Sequence, residues 1–333
     1  MLGYAEYLAI KRLNPEQDVY IETIIYDIPD AEKTIKQWNG YELERIFNIH
    51  APNIKDHFST EEWNEILNEV KDSEFWLHDW NYPAAIGNAL SKHLRCHLEI
   101  VCKSNYKDKD ERILIRRMMT KFFNTGLGYN FRRKLLCFNQ EKRKGIFSHP
   151  ERIFIRSDAD LYCGFTLLLK FSNNNIELIE EEIRETFVFP KLNEENIVIA
   201  KEISNSESIA IHIRRGDMLN DCNKYYTGGY FKRAVAFIKK HVANPTFFVF
   251  SDPGSEDWAK ANLSLIGLNK EDSYRIITWN SGFSSYRDMQ LISKCKHAII
   301  TVSSFGWWGA YLIKKPSKIT ISPELEINTT HHC

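Results

Sequence analysis

This chain of 333 residues has little of what marks several common classes of protein. Its Lys and Arg number 44 and its Asp and Glu 44, so the formal net charge is zero. No whole-molecule field therefore draws it to nucleic acid or to a membrane. No apolar run approaches the ~20 residues of a membrane-spanning helix. The first residues, MLGYAEYLAIKRLN, already contain Glu6 and read as a helix, not as a signal peptide. Seven cysteines (Cys96, Cys102, Cys137, Cys163, Cys222, Cys295 and Cys333) are scattered, odd in number and form no CxxC. That predicts reduced thiols in a cytoplasmic protein. No GxGxxG opens a strand–helix unit, no GxxxxGK followed by Ser or Thr occurs, and no Asp-x-Asp is placed to suggest a metal-held diphosphate. These absences argue against a dinucleotide oxidoreductase. The glycine-rich GLGYN at 126–130 has no clear strand before it and reads as a turn. The sequons at Asn262 and Asn328 are three-residue patterns that chance supplies, and His331-His332-Cys333 reads as a frayed terminus, not a metal site.

What is present is regular in the second half. Strand-like runs SIAIHI (208–213), TFFVF (246–250), YRIIT (274–278), HAIIT (297–301) and KITIS (318–322) alternate with helix-like segments at 231–242, 256–266, 287–295 and 306–313. Strand–helix alternation at this spacing predicts parallel βαβ units and a doubly wound α/β sheet. The first half is less orderly. Residues 5–13 read as a helix, 18–25 (DVYIETII) as a strand, 31–70 as mixed and 110–123 as helical. Ile176, Ile179, Ile183 and Phe187 mark one face of a helix ending before Pro190, and the polar stretch 191–207 reads as a hinge. The expected division is thus 1–190 and 191–333. Between Glu111 and Lys144, ten Lys or Arg face two Glu. This stretch, 112–144, reads as a solvated face, with a peripheral contact to an anionic acceptor or the cytoplasmic leaflet as the alternative.

Three strand ends carry polar residues. In His212-Ile-Arg214-Arg215-Gly216-Asp217 an almost uncharged strand stops at two guanidiniums. Arginine presents a planar fork that matches phosphate oxygens and stays charged when desolvated. One arginine could hold a ligand while the other pairs with Asp217, or the group could be a structural ion-pair network. The second end, FFVFSDP, places Ser251 and Asp252 beyond a strand, where they either accept hydrogen bonds from a ligand or cap the next helix. The third, HAIITVSSFGWWGAYLI, sets two serines before a helix start, where backbone N–H groups form a ready phosphate site. Trp307 and Trp308 either stack on a sugar or base or lie in the core.

In order along the chain, HIRRGDM (212–218), FSDPGSEDW (250–258) and DMQLISKCKHAIITVSSFGWWGAYL (288–312) resemble the donor-domain motifs of the α-1,2-fucosyltransferases, glycosyltransferase family 11. Weaker similarity runs through 3–23, 41–49 and 179–190. The resemblance implies a GT-B-type fold, two Rossmann-like halves with a cleft between them, the first half being acceptor-side and the second binding GDP-fucose. It implies transfer of fucose from GDP-β-L-fucose to the 2-hydroxyl of a galactose-terminated glycan, with inversion and with neither metal nor cofactor. Carried over by position, Arg214 binds the donor phosphates, His212 lies beside the guanosine, Asp252 contacts the nucleotide, and Ser303, Ser304 and Phe305 form the phosphate loop. Asp288 supports the same site, and Asp217 is either the partner of Arg215 or catalytic beside Arg214. Family members begin with a strand and a glycine loop, GxGNQxxQYA. The present chain starts inside that region at Met1-Leu2-Gly3-Tyr4-Ala5, so the first half is expected to lack one strand and its donor contacts. Two rival readings are a GDP-sugar-binding relative without turnover and a fucosyltransferase of different linkage, such as α-1,6. The SSFGWWGA form argues against the latter.

Overall fold

A computed structural model describes residues 1–30, 39–77, 82–101, 160–163, 179–215 and 225–323. The basic stretch 112–144, the helix expected at 110–123 and Asp217 lie outside these residues. The chain forms two compact units, Met1–Phe187 and Val188–Cys333.

In the first unit, α1 (Leu2–Leu13), α2 (Ile24–Asp27), α3 (Glu42–Phe47), α4 (Thr60–Asp72) and α5 (Tyr82–His93) precede a short parallel pair. That pair is β1 (Glu99–Val101) with β2 (Leu161–Cys163), and α6 (Glu180–Thr186) follows. A capping box between Ser59 and Glu62 starts α4, satisfying two N–H groups that a helix start leaves open. Ile66 and Val70 of α4 and Ile86 and Leu90 of α5 fill the core with Ile24 and Phe75. Ile179, Ile183 and Phe187 are buried together at α6.

The strand expected over 18–25 does not form. Parallel pairing is limited to one bridge, Ile21 to Asn53, after which the chain turns into α2. The Glu22 carboxylate accepts the Ile24 N–H at 2.8 Å, bending the backbone out of the extended course that its β-branched neighbours favour. The polar stretch 191–207 is likewise not an open hinge. Residues Glu194–Ser204 form α7, whose Asn196, Ile199 and Ile203 are buried in the second unit.

The second unit holds a five-stranded sheet of β3 (Glu207–Ile213), β4 (Pro245–Ser251), β5 (Ser273–Ile277), β6 (His297–Ile299) and β7 (Thr320–Ile321). The spatial order is β5-β4-β3-β6-β7 and every pairing is parallel. Helices α8 (Tyr230–His241), α9 (Glu256–Ala261), α10 (Tyr286–Lys294) and α11 (Ser304–Tyr311) connect the strands. Alternation along β3 sorts its side chains onto two faces. Ile209, Ile211 and Ile213 pack with Phe231, Val235 and Ile238 of α8, whereas Ala210 packs with α7, α10 and α11 through Ile203, Leu291 and Ala310. Both faces are covered, as an all-parallel sheet requires. The chain winds outward from β3 through β4 to β5, then returns to β6 and β7. The reversal falls between β3 and β6, and in open α/β sheets ligands bind beside the carboxyl ends at such a point.

Candidate active site

Three chain segments converge at that point. β3 ends at Ile213, so Arg214 and Arg215 leave the sheet beside the end of β4. The Asp252 carboxylate takes both. Its Oδ1 accepts from Arg214 Nη1 at 2.6 Å and its Oδ2 accepts the Arg215 backbone N–H at 2.6 Å. Asp252 is buried and Arg214 keeps a quarter of its side chain exposed. The Tyr226 hydroxyl donates to the Arg214 carbonyl at 2.9 Å. Charge-assisted bonds at these lengths are the strong kind, and they hold the arginine in one place before any ligand arrives.

Arg215 points away from that carboxylate. Its guanidinium lies 3.6 Å from the centre of the Trp258 ring and 5.8 Å from that of Tyr226, a cation–π stack between β3 and α9. The two arginines thus have separate partners, as their opposite directions along an extended chain suggest. The helix after β4 is not capped by Ser251 or Asp252. Its N-cap is Ser255, whose side chain makes no capping bond.

His212 sits on the α11 face of β3 and is 4% exposed. Its ring stacks on Phe305, with centroids 5.6 Å apart, and Nδ1 lies 3.5 Å from Thr301 Oγ1. Burial, the larger influence, pulls its pKa down to about 4. Asp252 acts against this and Arg214 with it. The imidazole is therefore neutral near pH 7. Gly306 permits the close approach, since a β-carbon there would stand 2.6 Å from His212 Nδ1.

Helix α11 starts at Ser304 with Ser303 as N-cap, and the Ser303 hydroxyl makes no capping bond. The first intrahelical bond is from Trp307 N–H to the Ser303 carbonyl at 3.0 Å. The earlier N–H groups at such a start have no helical partner, and the helix dipole favours an anion there. Trp308 is core, at 2% exposure, and Trp307 stacks on Tyr311 at 5.0 Å.

Asp288 is buried at the start of α10 and accepts from Asn280 Nδ2 at 2.7 Å. Asn280 and the fully buried Asn196 exchange amide bonds at 2.9 and 3.0 Å. Burial raises the Asp288 carboxyl to about 7, with the Asn280 bond opposing and Glu256 assisting. Arg214 and Asp252 are thus in direct contact, as are His212 and Phe305. Ser303 and Ser304 precede Phe305 on the same turn, and Asp288 belongs to a separate amide cluster. Asp217 lies outside the described residues. Sequence reading missed Tyr226 and Thr301 as partners of this site, and it quoted Trp258 only as part of a motif. Periodicity does not signal such partners, because each contact joins distant segments.

A parallel, doubly wound sheet with this strand order is a Rossmann-like α/β domain. Residues 170–329 match the family model described as Glycosyl transferase family 11. It is 32% identical over 149 residues to the alpha-1,2-colitosyltransferase of Escherichia coli, which covers 43% of this chain and 49% of that protein. It is 31% identical over 124 residues to the O-antigen biosynthesis glycosyltransferase WbnK of Escherichia coli, covering 36% and 39% respectively. With the galactoside 2-alpha-L-fucosyltransferase SEC1 of Bos taurus the identity is 30% over 115 residues, covering 32% and 29%. The chain therefore matches half or less of the length of these relatives. No solved structure matches it significantly.

Proposed function

We propose that the protein is an inverting α-1,2-fucosyltransferase that moves fucose from GDP-β-L-fucose to the 2-hydroxyl of a galactose-terminated glycan. The observation that carries this reading is that the β3 end bearing Arg214, held by Asp252, meets the start of α11 at the switch point through His212 against Phe305 and Gly306. As GDP leaves, negative charge grows on its β-phosphate while the sugar becomes oxocarbenium-like. Donors already aimed at that charge stabilise the transition state without reorganising. In this reading Arg214 and the 304–306 N–H groups meet the phosphates. Neutral His212 lies beside the nucleotide without adding charge, and Asp252 holds Arg214 in place. Asp288 serves the donor side from its amide cluster. The acceptor oxygen attacks the anomeric carbon from the face opposite GDP while its hydroxyl gives up its proton to a general base, the bond from that carbon to the phosphate oxygen breaks with its electrons leaving on GDP, and the configuration inverts. Asp217 is the carboxylate we assign to the catalytic group with Arg214. In this proposal the first unit is the acceptor side of a two-domain GT-B arrangement.

The names of the relatives support the linkage, since both the colitosyl and the galactoside enzymes are named for α-1,2 or 2-α transfer. The colitosyl relative also favours a second reading, in which the donor sugar differs while the linkage is kept. Incubation with GDP-fucose, a colitosyl donor and a panel of galactosides, reading released GDP and product linkage, decides between them. Donor binding without transfer to any galactoside would instead make the protein a GDP-sugar-binding relative. A third outcome, an α-1,6 product, would replace the linkage. Because arginine and helix-start donors carry the leaving charge in this proposal, transfer continues in excess EDTA. Loss of activity with EDTA, restored by Mn²⁺ or Mg²⁺, would count against the proposed site.

A further inference from the structure

The end of α11 opposite the phosphate-facing start is closed in an unusual way. Lys318, on the segment that enters β7, turns back and donates from Nζ to three carbonyls: Ala310 at 2.8 Å, Tyr311 at 2.8 Å and Ile313 at 3.2 Å. A helix leaves its last carbonyls without partners, and a cation there also complements the dipole. Ala310 and Ile313 are buried and Tyr311 is half-buried, so water has limited access to these carbonyls, of which that of Ala310 also accepts the Ile313 N–H at 3.3 Å.

The helix it closes packs against α10 and the sheet. Its sequence, SFGWWGAY, is apolar on nearly every side. It lies on its neighbours through glycines, Gly306 against His212 and Gly309 against Ile292, where a β-carbon would stand 2.6 Å from each neighbour. Phe305 on His212 and the buried Trp308 and Ala310 hold its flanks, and the ammonium bonded to three carbonyls holds its end.

We propose that Lys318 is a positioning residue for the donor phosphates. By fixing the carboxyl end of α11 it sets the height of the Ser304–Gly306 N–H groups relative to Arg214. The inference rests on the function proposed above, in that the anion at the helix start is taken to be the diphosphate of GDP.

The test compares GDP with guanosine, which lacks the phosphates. Lys318→Met keeps the apolar stem and loses the ammonium, and Lys318→Arg keeps the charge with a different donor geometry. Lys314→Met removes a charge from the same segment at an exposed residue and is the control. Binding is measured by calorimetry well below each variant's melting temperature. Lys318→Met is expected to weaken GDP about tenfold and leave guanosine within twofold. Lys318→Arg should lose part of that, and Lys314→Met should match the unmodified protein. A purely structural role would lower the melting temperature and leave the GDP-to-guanosine ratio unchanged, and that result overturns the proposal. If Lys318→Met does not fold, Lys318→Arg decides on the same ratio. Failure of the unmodified protein to bind GDP would fall on the proposed function itself, whereas equal GDP binding by all variants removes only the role of Lys318.

Discussion

Gly306 and His212 are in such close contact that the glycine has no room for a β-carbon, which would stand 2.6 Å from Nδ1. The neutral imidazole and the start of α11 are therefore one packed unit. Gly306→Ala must push the helix or the ring aside, and overpacking of this kind costs about 1–3 kcal/mol. A lowered melting temperature with weakened GDP binding is expected. Gly309→Ala, which meets Ile292 of α10 about one turn further from the helix start, should destabilise similarly with a smaller effect on GDP. Equal losses of GDP affinity in both variants would sink the special role given to the Gly306 contact.

Arg214 donates from Nη1 to Asp252 Oδ1 at 2.6 Å, which fixes its guanidinium at the end of β3. Arg214→Ala should reduce turnover by about 10²–10³, the usual cost of removing one transition-state donor, and also weaken GDP binding. Arg214→Lys keeps the charge but cannot bridge carboxylate and phosphate with a planar fork, so it should not restore activity. Turnover and GDP affinity within threefold of the unmodified protein for either variant would remove Arg214 from the mechanism.

Arg215 has a different task. Its side chain stacks on Trp258, while its backbone N–H, which substitution retains, serves Asp252. Arg215→Ala should cost about 1 kcal/mol of stability, the order of a cation–π contact, and leave GDP affinity within about threefold. Thermal melting and calorimetry separate the two effects. Abolished GDP binding with unchanged melting would mean that the roles of the two arginines are reversed.

The stability of the second unit should vary with pH in two opposing ways. Asp288 is raised from 3.8 to about 7, so the folded state holds a proton that the unfolded chain has lost, and its contribution fades as pH climbs through that window. His212 is lowered from 6.5 to about 4, so its contribution fades as pH falls through the window. Asp288→Asn keeps an oxygen for Asn280 and removes the first slope alone. The melting temperature of the unmodified protein minus that of Asp288→Asn should therefore decline from pH 5 to pH 8. A constant difference across that range would contradict the buried, proton-holding carboxyl.

The second unit was largely legible in the sequence because burial on both faces left it almost no choice. The runs around Ile209–Ile213 and Phe247–Phe250 are apolar and β-branched or aromatic, and each formed a strand within a residue or so of its expected limits. The last strand was read as 318–322 and is Thr320–Ile321, since Lys318 is drawn away to the end of α11. In the first unit DVYIETII has the composition of a strand, but the side chain of Glu22 reaches the backbone two residues on and competes with sheet pairing. The polar 191–207 misled for a related reason. Asn196 is polar by composition yet fully buried, satisfied by Asn193 and Asn280, and no linear pattern shows a partner 84 residues away. At the site, the charged strand end was visible, but the pairing of Arg214 with Asp252 over 38 residues was not.

The dependence of α11 on Lys318 also bears on the order in which the protein is made. Arg214, Asp252 and the serines of α11 all leave the ribosome before the residue that closes the helix, and β7 follows at Thr320. Tyr230 cannot complete its hydrogen bonds until then either, because its hydroxyl sits between the carbonyls of Ile300 and Ile321, at 2.7 and 2.9 Å. A nascent chain that has reached Gly309 thus has the chemical groups of the site and the Arg214–Asp252 pair, but neither the Lys318 closure of α11 nor the Ile321 acceptor of Tyr230. Completion of both contacts therefore waits on residues 318–321.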